Sequence, residues 1–264
     1  MLNKEARKKL QDLLPLSMVA TKQWLRHQGL SLHFLDNAIR SQTLIPLATG
    51  VYTLYGQSIN WPGIVASLQR MSEKPIHVGG LAALDLAGLT HFLSVSAETR
   101  IQLYSGSPLP GWLGRIPIDV HLEHHSTVRL WCESVMTDAR FTREYHWLDK
   151  LPPVTYSCPE KAFLEVLVNV PSAVSFEHAD ALMQGLSNLS PRKIDVLLRS
   201  CRSIKVKRLF LWLAERNDHA WFKRLDPSAY DLGSGKRVLA EQGRLSTRWA
   251  ITVPKGMHED DEHG

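Results

Sequence analysis

Cysteine is scarce in these 264 residues: Cys132, Cys158 and Cys201 lie far apart and form no CxxC pair. That spacing argues against a disulfide framework and against a zinc ribbon, and the three read as buried thiols acting as small hydrophobes. No apolar run approaches the ~20 residues a membrane helix needs, so no membrane partner is expected. The N-terminal stretch MLNKEARKKLQDLL starts with basic residues, as a signal peptide does, but has no apolar h-region; it reads as an amphipathic helix of a cytoplasmic protein. Internal repeats and low-complexity linkers are lacking too. No Ser-His-Asp or Cys-His arrangement stands out by spacing, so the chain is expected not to be an enzyme, with no catalytic residue, cofactor or metal assigned.

Three stretches come near known chemistry and fall short. DLGSGKR, residues 231–237, contains a Gly-Lys pair, but a Walker loop needs a glycine five positions earlier and a Ser or Thr after the lysine; here Tyr230 and Arg237 hold those places. A Gly-rich turn carrying Lys236 and Arg237 then reads either as a site meeting a phosphate or acidic partner, or as a plain surface loop. HLEHH puts His121, Glu123 and His125 on one face of a strand, the geometry of a two-His-one-carboxylate site, with no further ligand in support; an exposed strand face is the expectation. In CPEKAFLE, Glu160 and Glu165 are five residues apart and face different directions on a helix, where acid near the N-terminus is favoured by the dipole alone.

What is present is ordinary globular composition, 44% hydrophobic and 22% charged, with a formal net charge of +5. The excess is uneven. Residues 1–60 carry seven Lys/Arg against three acids, and residues 190–216 carry eight against two. The tail HEDDEHG is acidic and reads as a frayed end. A mild excess permits a polyanionic partner without requiring one.

Leu2, Leu10, Leu13 and Leu14, with Ala6, predict a helix over 3–14 stopped by Pro15. MVATKQWLRHQG predicts a second, with Val19, Trp24 and Leu25 near one face and Gly29 at its end. Ser31 is a natural N-cap for a third, LHFLDNAIRSQTL, with Leu32, Leu35, Ile39 and Ala38 as its apolar stripe. Then comes LIPLATGVYTLYG, a small hairpin turning at Thr49-Gly50. Two helices joined by a three-residue spacer and followed by a hairpin give the order of a winged helix-turn-helix. Its third helix would expose Ser31, His33, Phe34, Asn37, Arg40 and Ser41, and Asn and Arg are types that read adenine and guanine edges. A three-helix structural module with a solvated polar face fits the same pattern.

Beyond GQSINWPG, residues 56–63, the chain gives helices at IVASLQRMSEK and between Gly80 and Gly88. Strands follow at HFLSVSAETRIQLYS, IPIDVHLEHHSTVRLW and VTYSCP. From Glu160 the texture is helical, with Ser190 capping and Pro191 at the first position of a segment that Ser200 and Ser203 divide. A hairpin-like strand pair, VLAEQGRLSTRWAITVP, finishes it. The fold class is therefore α+β. Residues 1–58 form the N-terminal winged helix-turn-helix. Residues 59–264 form a larger mixed α/β domain with antiparallel strands and a helical cluster. Arg192, Arg199 and Arg202 recur at roughly helical spacing, with Lys205, Lys207 and Arg208 beyond; they read either as a solvated face or as a surface for nucleic-acid phosphate or an acidic protein.

Several stretches, in one order, resemble the AbiEi family of bacterial antitoxins: VATKQWLRHQGLS, LDNAIRSQTLIPLATGVYTL, WPGIVASLQRM, HVGGLAALDLAGLTHFL, LPGWL, CPEKAFLE and GSGKR…TVP. The resemblance implies a type IV toxin–antitoxin module with a role in phage defence. It implies a winged helix-turn-helix that binds inverted repeats in its own promoter and represses the operon, and a C-terminal domain that counteracts a nucleotidyltransferase toxin without a stable complex. It carries DNA reading onto Ser31, His33, Asn37, Arg40 and Ser41, and backbone contact onto Lys22 and the wing around Thr49. Family wings often have a basic residue before the wing glycine, and Thr49 departs from that. Antitoxicity, or an anionic partner, falls to Arg192, Arg199, Arg202, Lys205, Lys207, Arg208, Lys236 and Arg237. The alternative is a protein-interaction module in which the basic C-terminal surface docks an acidic protein and the trihelical part is scaffold.

Overall fold

The spacing of leucines at the N-terminus is met by α1 (Lys4–Leu13), which buries Leu10 and stops before Pro15 in this computed structural model, which describes residues 4–89 and 99–257. Leu2, residues 91–98 of the first expected strand and the acidic tail from residue 258 lie outside the described residues. The second helix is shorter than its texture predicts. Met18 and Val19 give their backbone groups to tertiary partners, Met18 O accepting from Thr53 Oγ1 at 3.0 Å and Val19 N donating to Ser67 Oγ at 2.9 Å. Two residues then form β1 (Ala20–Thr21), and Thr21 caps α2 (Lys22–His27) by accepting from Trp24 N at 3.1 Å.

After a turn through Gly29 (φ +89°), Ser31 accepts from Phe34 N at 3.2 Å and opens α3 (Leu32–Arg40). β2 (Leu44–Ala48) and β3 (Val51–Leu54) make the hairpin, Gly50 taking the left-handed φ of +78° that its turn requires. β1 pairs with β3, so the sheet order is β1-β3-β2 and Pro46 falls on an edge strand, where its missing N–H breaks no ladder. Leu10, Leu14, Ala20, Leu25, Leu30, Phe34, Leu35, Ala38 and Leu44 form the core. One detail reverses the sequence expectation: Phe34 is inside at 7% exposure and Leu32 outside at 48%.

The chain continues as α4 (Trp61–Met71), β4 (Ile76–Val78), α5 (Gly80–Leu86), β5 (Thr99–Ser105), β6 (Val120–Ser126), α6 (Glu133–Thr137), β7 (Thr142–Tyr145) and β8 (Val154–Ser157). Five of these strands make a mixed sheet, order β6-β5-β4-β8-β7, in which β4 is antiparallel to β5 and parallel to β8, and β5 runs parallel to β6 from Thr99↔Val120 to Ser105↔Ser126. Helices α7 (Pro159–Leu167), α8 (Phe176–Gly185), α9 (Pro191–Ser200) and α10 (Ile204–Arg216) follow, and β9 (Arg244–Ser246) pairs antiparallel with β10 (Ile251–Val253). Ser190 caps α9, as its position predicts, and Ser203, one of the two serines expected to divide the segment, caps α10. The architecture is α+β.

Two compact units divide the chain: residues 1–78, 95–126 and 144–156 form one, and residues 79–94, 127–143 and 157–264 the other. Within the first, the segment before β1 passes hard against α4. A methyl group on Gly63 would stand 2.1 Å from the carbonyl oxygen of Ser17, and overpacking of that kind destabilises by about 1–3 kcal/mol or more. Gly63→Ala is therefore expected to lower the urea midpoint of the full chain with an unchanged m-value; a midpoint equal to that of the parent would show that the approach relaxes freely.

Candidate nucleic-acid interface

The exposed side of α3 follows from what its other side buries. Phe34, Leu35 and Ala38 turn inward, so His33 and Arg40 stand in solvent with Asn37 half-buried between them. The Asn37 amide nitrogen lies 3.3 Å from His33 Nε2. Ser31 is exposed, but its hydroxyl is used as the helix cap, and the Ser41 hydroxyl donates to Ala38 O at 3.3 Å. Thr49 is exposed at the hairpin tip, and the tip is fixed to α2 because Gly50 O accepts from Lys22 N at 3.0 Å.

Lys22 brings in a residue that the sequence pattern missed. Its Nζ sits 2.5 Å from Asp36 Oδ1, which places an acid in the middle of the α3 face. The hydrogen bond from Lys22, with its charge and those of Arg40 and His33, holds the Asp36 carboxyl below its ordinary 3.8. An acid three residues beyond His33 and four before Arg40 is readable in the sequence, but nothing in spacing pairs it with a lysine fourteen positions away. Further cations of the first unit are exposed. Lys4, Arg7, Lys8 and Lys9 are exposed along α1, and Arg26 and His27 on α2. Arg7 also lines a groove of about 630 Å³ with Gln11, Ser41, Gln42, Thr43 and the 73%-exposed Tyr55.

The basic segment of the second unit does not present one surface. Arg192 is exposed. Arg199 pairs with Asp195 at 3.0 Å and lies over the Tyr230 ring. Arg202 donates to Val128 O at 3.0 Å and Lys205 to Val168 O at 2.9 Å. Lys207 and Arg208 are each only 3% exposed, which removes both from any surface. They belong to α10, where Val206 through Ala214 are buried on all sides. Lys236 and Arg237 are exposed on the Gly-rich loop.

The acids of CPEKAFLE are buried rather than solvated. Glu165 Oε2 accepts from Gly80 N at 3.1 Å and Ser157 Oγ at 2.9 Å, and its Oε1 accepts from Trp131 Nε1 at 3.1 Å. Glu160 Oε1 accepts from Ser190 N at 2.9 Å. Burial pushes the Cys158 thiol up to about 12 and Cys201 to about 11, so neither supplies a thiolate near neutral pH. On β6, Glu123 is engaged by Arg100 at 2.6 Å and His125 stacks on Tyr104 at 4.9 Å. No group of three or more His, Cys, Asp and Glu suited to a metal occurs among the described residues, and no helix there is long and apolar enough to cross a membrane.

Comparison with known proteins adds two family models. The AbiEi antitoxin N-terminal domain of transcriptional regulators matches residues 3–95, and the transcriptional regulator, AbiEi antitoxin, of type IV toxin–antitoxin systems matches residues 98–254. No curated protein matches. The crystal structure of the RV2827C protein from Mycobacterium tuberculosis is similar over 94% of this chain and 89% of that one, with a TM-score of 0.54 and 16% identity, a likeness of fold alone.

The Lys22–Asp36 pair makes a pH-dependent prediction. Because the folded carboxyl is depressed, the pair contributes above the unfolded value near 3.8 and is lost as pH falls through the folded one. An NMR titration of Asp36 should give a midpoint below 3.8 that rises toward it in Lys22→Met; the same midpoint in both proteins would mean that the pair does not form.

Proposed function

The chain belongs to the AbiEi antitoxins, transcriptional regulators of type IV toxin–antitoxin systems, and on that premise we propose that residues 1–58 are a winged helix-turn-helix that binds inverted repeats in the promoter of their own operon and represses it. In this reading α3 enters the major groove, α2 precedes it across a short connection, and the β2–β3 hairpin is the wing. The face of α3 carries the proposal. His33, Asn37 and Arg40 share one side of a helix whose opposite side is locked into the core. Arg40 suits a guanine edge and Asn37 an adenine edge. Phosphate contact falls to the exposed cations of α1 and to Arg26, with Lys22 contributing where a phosphate competes with Asp36. Thr49 brings no charge to the wing.

Residues 59–264 are proposed to counteract a nucleotidyltransferase toxin in the cytoplasm, without a stable complex and without chemistry of their own; the resemblance supports this part. The second reading is a scaffolding head and a basic surface that docks an acidic protein. Two observations favour it: the carboxylate of Asp36 on the α3 face and the uncharged wing tip.

Gel shifts on the upstream promoter at two salt concentrations separate these readings. Binding is expected to weaken steeply with salt, and Arg40→Ala to cost about 1–3 kcal/mol on the promoter while relaxing specificity at one position. Equal affinity for the promoter and for unrelated DNA of the same length would sink the repressor reading.

A further inference from the structure

Arg208 poses a problem that the promoter-binding reading leaves untouched. Its guanidinium is buried, yet every partner is a backbone carbonyl: Leu232 O at 2.7 Å, Gly235 O at 2.7 Å, Ala250 O at 3.0 Å and Gly233 O at 3.1 Å. The cation is answered by dipoles, with no carboxylate among those partners. This has a geometric consequence for the loop above it. In a trans peptide the N–H points opposite to the C=O. Carbonyls of Leu232, Gly233 and Gly235 drawn toward Arg208 therefore turn the N–H groups of Gly233, Ser234 and Lys236 away from it.

Those amides face outward in a loop whose φ alternates in sign, Gly233 at +62° and Gly235 at +70° on either side of Ser234. Alternation of this kind gathers successive N–H groups into an anion-binding concavity. One of the amides already holds an anionic oxygen: Gly233 N donates to Asp231 Oδ1 at 2.9 Å. The N–H groups of Ser234 and Lys236 donate to no described residue, and the exposed side chains of Lys236 and Arg237 have no acidic partner among the described residues. Arg237 also lies near enough to Arg208 for its charge, together with burial, to lower the Arg208 pKa. Two guanidinium groups in mutual repulsion, two unused amides and a lysine converge on one exposed loop.

We infer that residues 233–237 form a binding site for a phosphate group, with the amides of Ser234 and Lys236 and the side chains of Lys236 and Arg237 as donors and Arg208 as the buried charge that orients the loop. A phosphate fits better than a carboxylate because it has more acceptor oxygens and a second charge at neutral pH. The site lies in the second unit and stands independently of promoter binding by the head.

Pyrophosphate titrated by calorimetry into the full chain, at fixed ionic strength, is the test. Saturable binding is expected, weakened about tenfold or more in Lys236→Ala/Arg237→Ala. Gly235→Ala keeps both charges and meets open space, but strains the left-handed backbone; it should also lose affinity while melting as a folded protein. Displacement of pyrophosphate by a nucleoside triphosphate or by a single-stranded oligonucleotide names the carrier of the phosphate, and either result supports the site. Absence of saturation, equal affinity in Gly235→Ala, or binding of polyglutamate in place of pyrophosphate would overturn it. Intact promoter binding in any of these variants keeps this outcome separate from that of the repressor reading.

Discussion

An ion taken out of water must be answered by the chain around it, and a carboxylate or guanidinium left alone in an apolar interior is among the most destabilising things a fold can contain. In the second unit two such ions decide where segments remote in sequence meet. Glu165, on a helix buried along its whole length, draws in the amide that begins α5, the hydroxyl at the end of β8 and the indole of Trp131. Arg208 does the converse, collecting carbonyls from the Gly-rich loop and from the residue before β10. Apolar burial holds the helices together without direction. The hydrogen bonds of these two ions give the packing its register, because each has a fixed fork of donors or acceptors and few arrangements of the backbone satisfy it.

Much of this was legible in the sequence and the failures have causes. Ser31, and Ser190 with Pro191, announce their helices, since a cap is local chemistry that tertiary structure rarely overrides. Thr21 is an equally good cap, hidden because Val19 and Ala20 continue a helical texture on its N-terminal side. What overrides that texture lies far along the chain, at Thr53 and Ser67. On α3 the helical period matches the sequence pattern and the rotation differs from it. Leu32 and Phe34 lie at opposite edges of the same stripe, and Phe34 is the one that joins Leu10 and Leu35 in the core. Lys207 and Arg208 continue a basic stripe when charge alone is read, but the apolar run LFLWLA follows them, and a helix apolar all round is a buried one.

The head shows how little of a site depends on its named residues alone. Its candidate reading face is set by three side chains that no ligand touches, Phe34, Leu35 and Ala38, and by the bond from Lys22 N that fixes the hairpin tip. Lys22 has two roles at once, its ammonium engaged by Asp36 and its backbone amide fixing the hairpin. In the proposed reading, a partner acid on the same face tempers non-specific attraction, because a phosphate has to displace a carboxylate already 2.5 Å from the lysine. The exposed cations of α1 suit contacts that are salt-sensitive and indifferent to sequence.

The loop at 231–237 allows folding and function to be told apart residue by residue. Arg208 is needed for closure: an apolar side chain there would leave the carbonyls of Leu232, Gly233 and Gly235 turned inward without their donor, a larger loss than the net worth of the bonds themselves. The glycines are needed too, since a side chain at φ +62° or +70° is strained. Lys236 and Arg237 satisfy no such requirement. Their side chains are exposed, and stability alone would favour a neutral or acidic residue at 237, near a buried cation whose hydrogen-bond partners among the described residues are all carbonyls. Charge that folding does not ask for, on a loop whose carbonyls are held by a buried guanidinium, is where an external anion has most to offer.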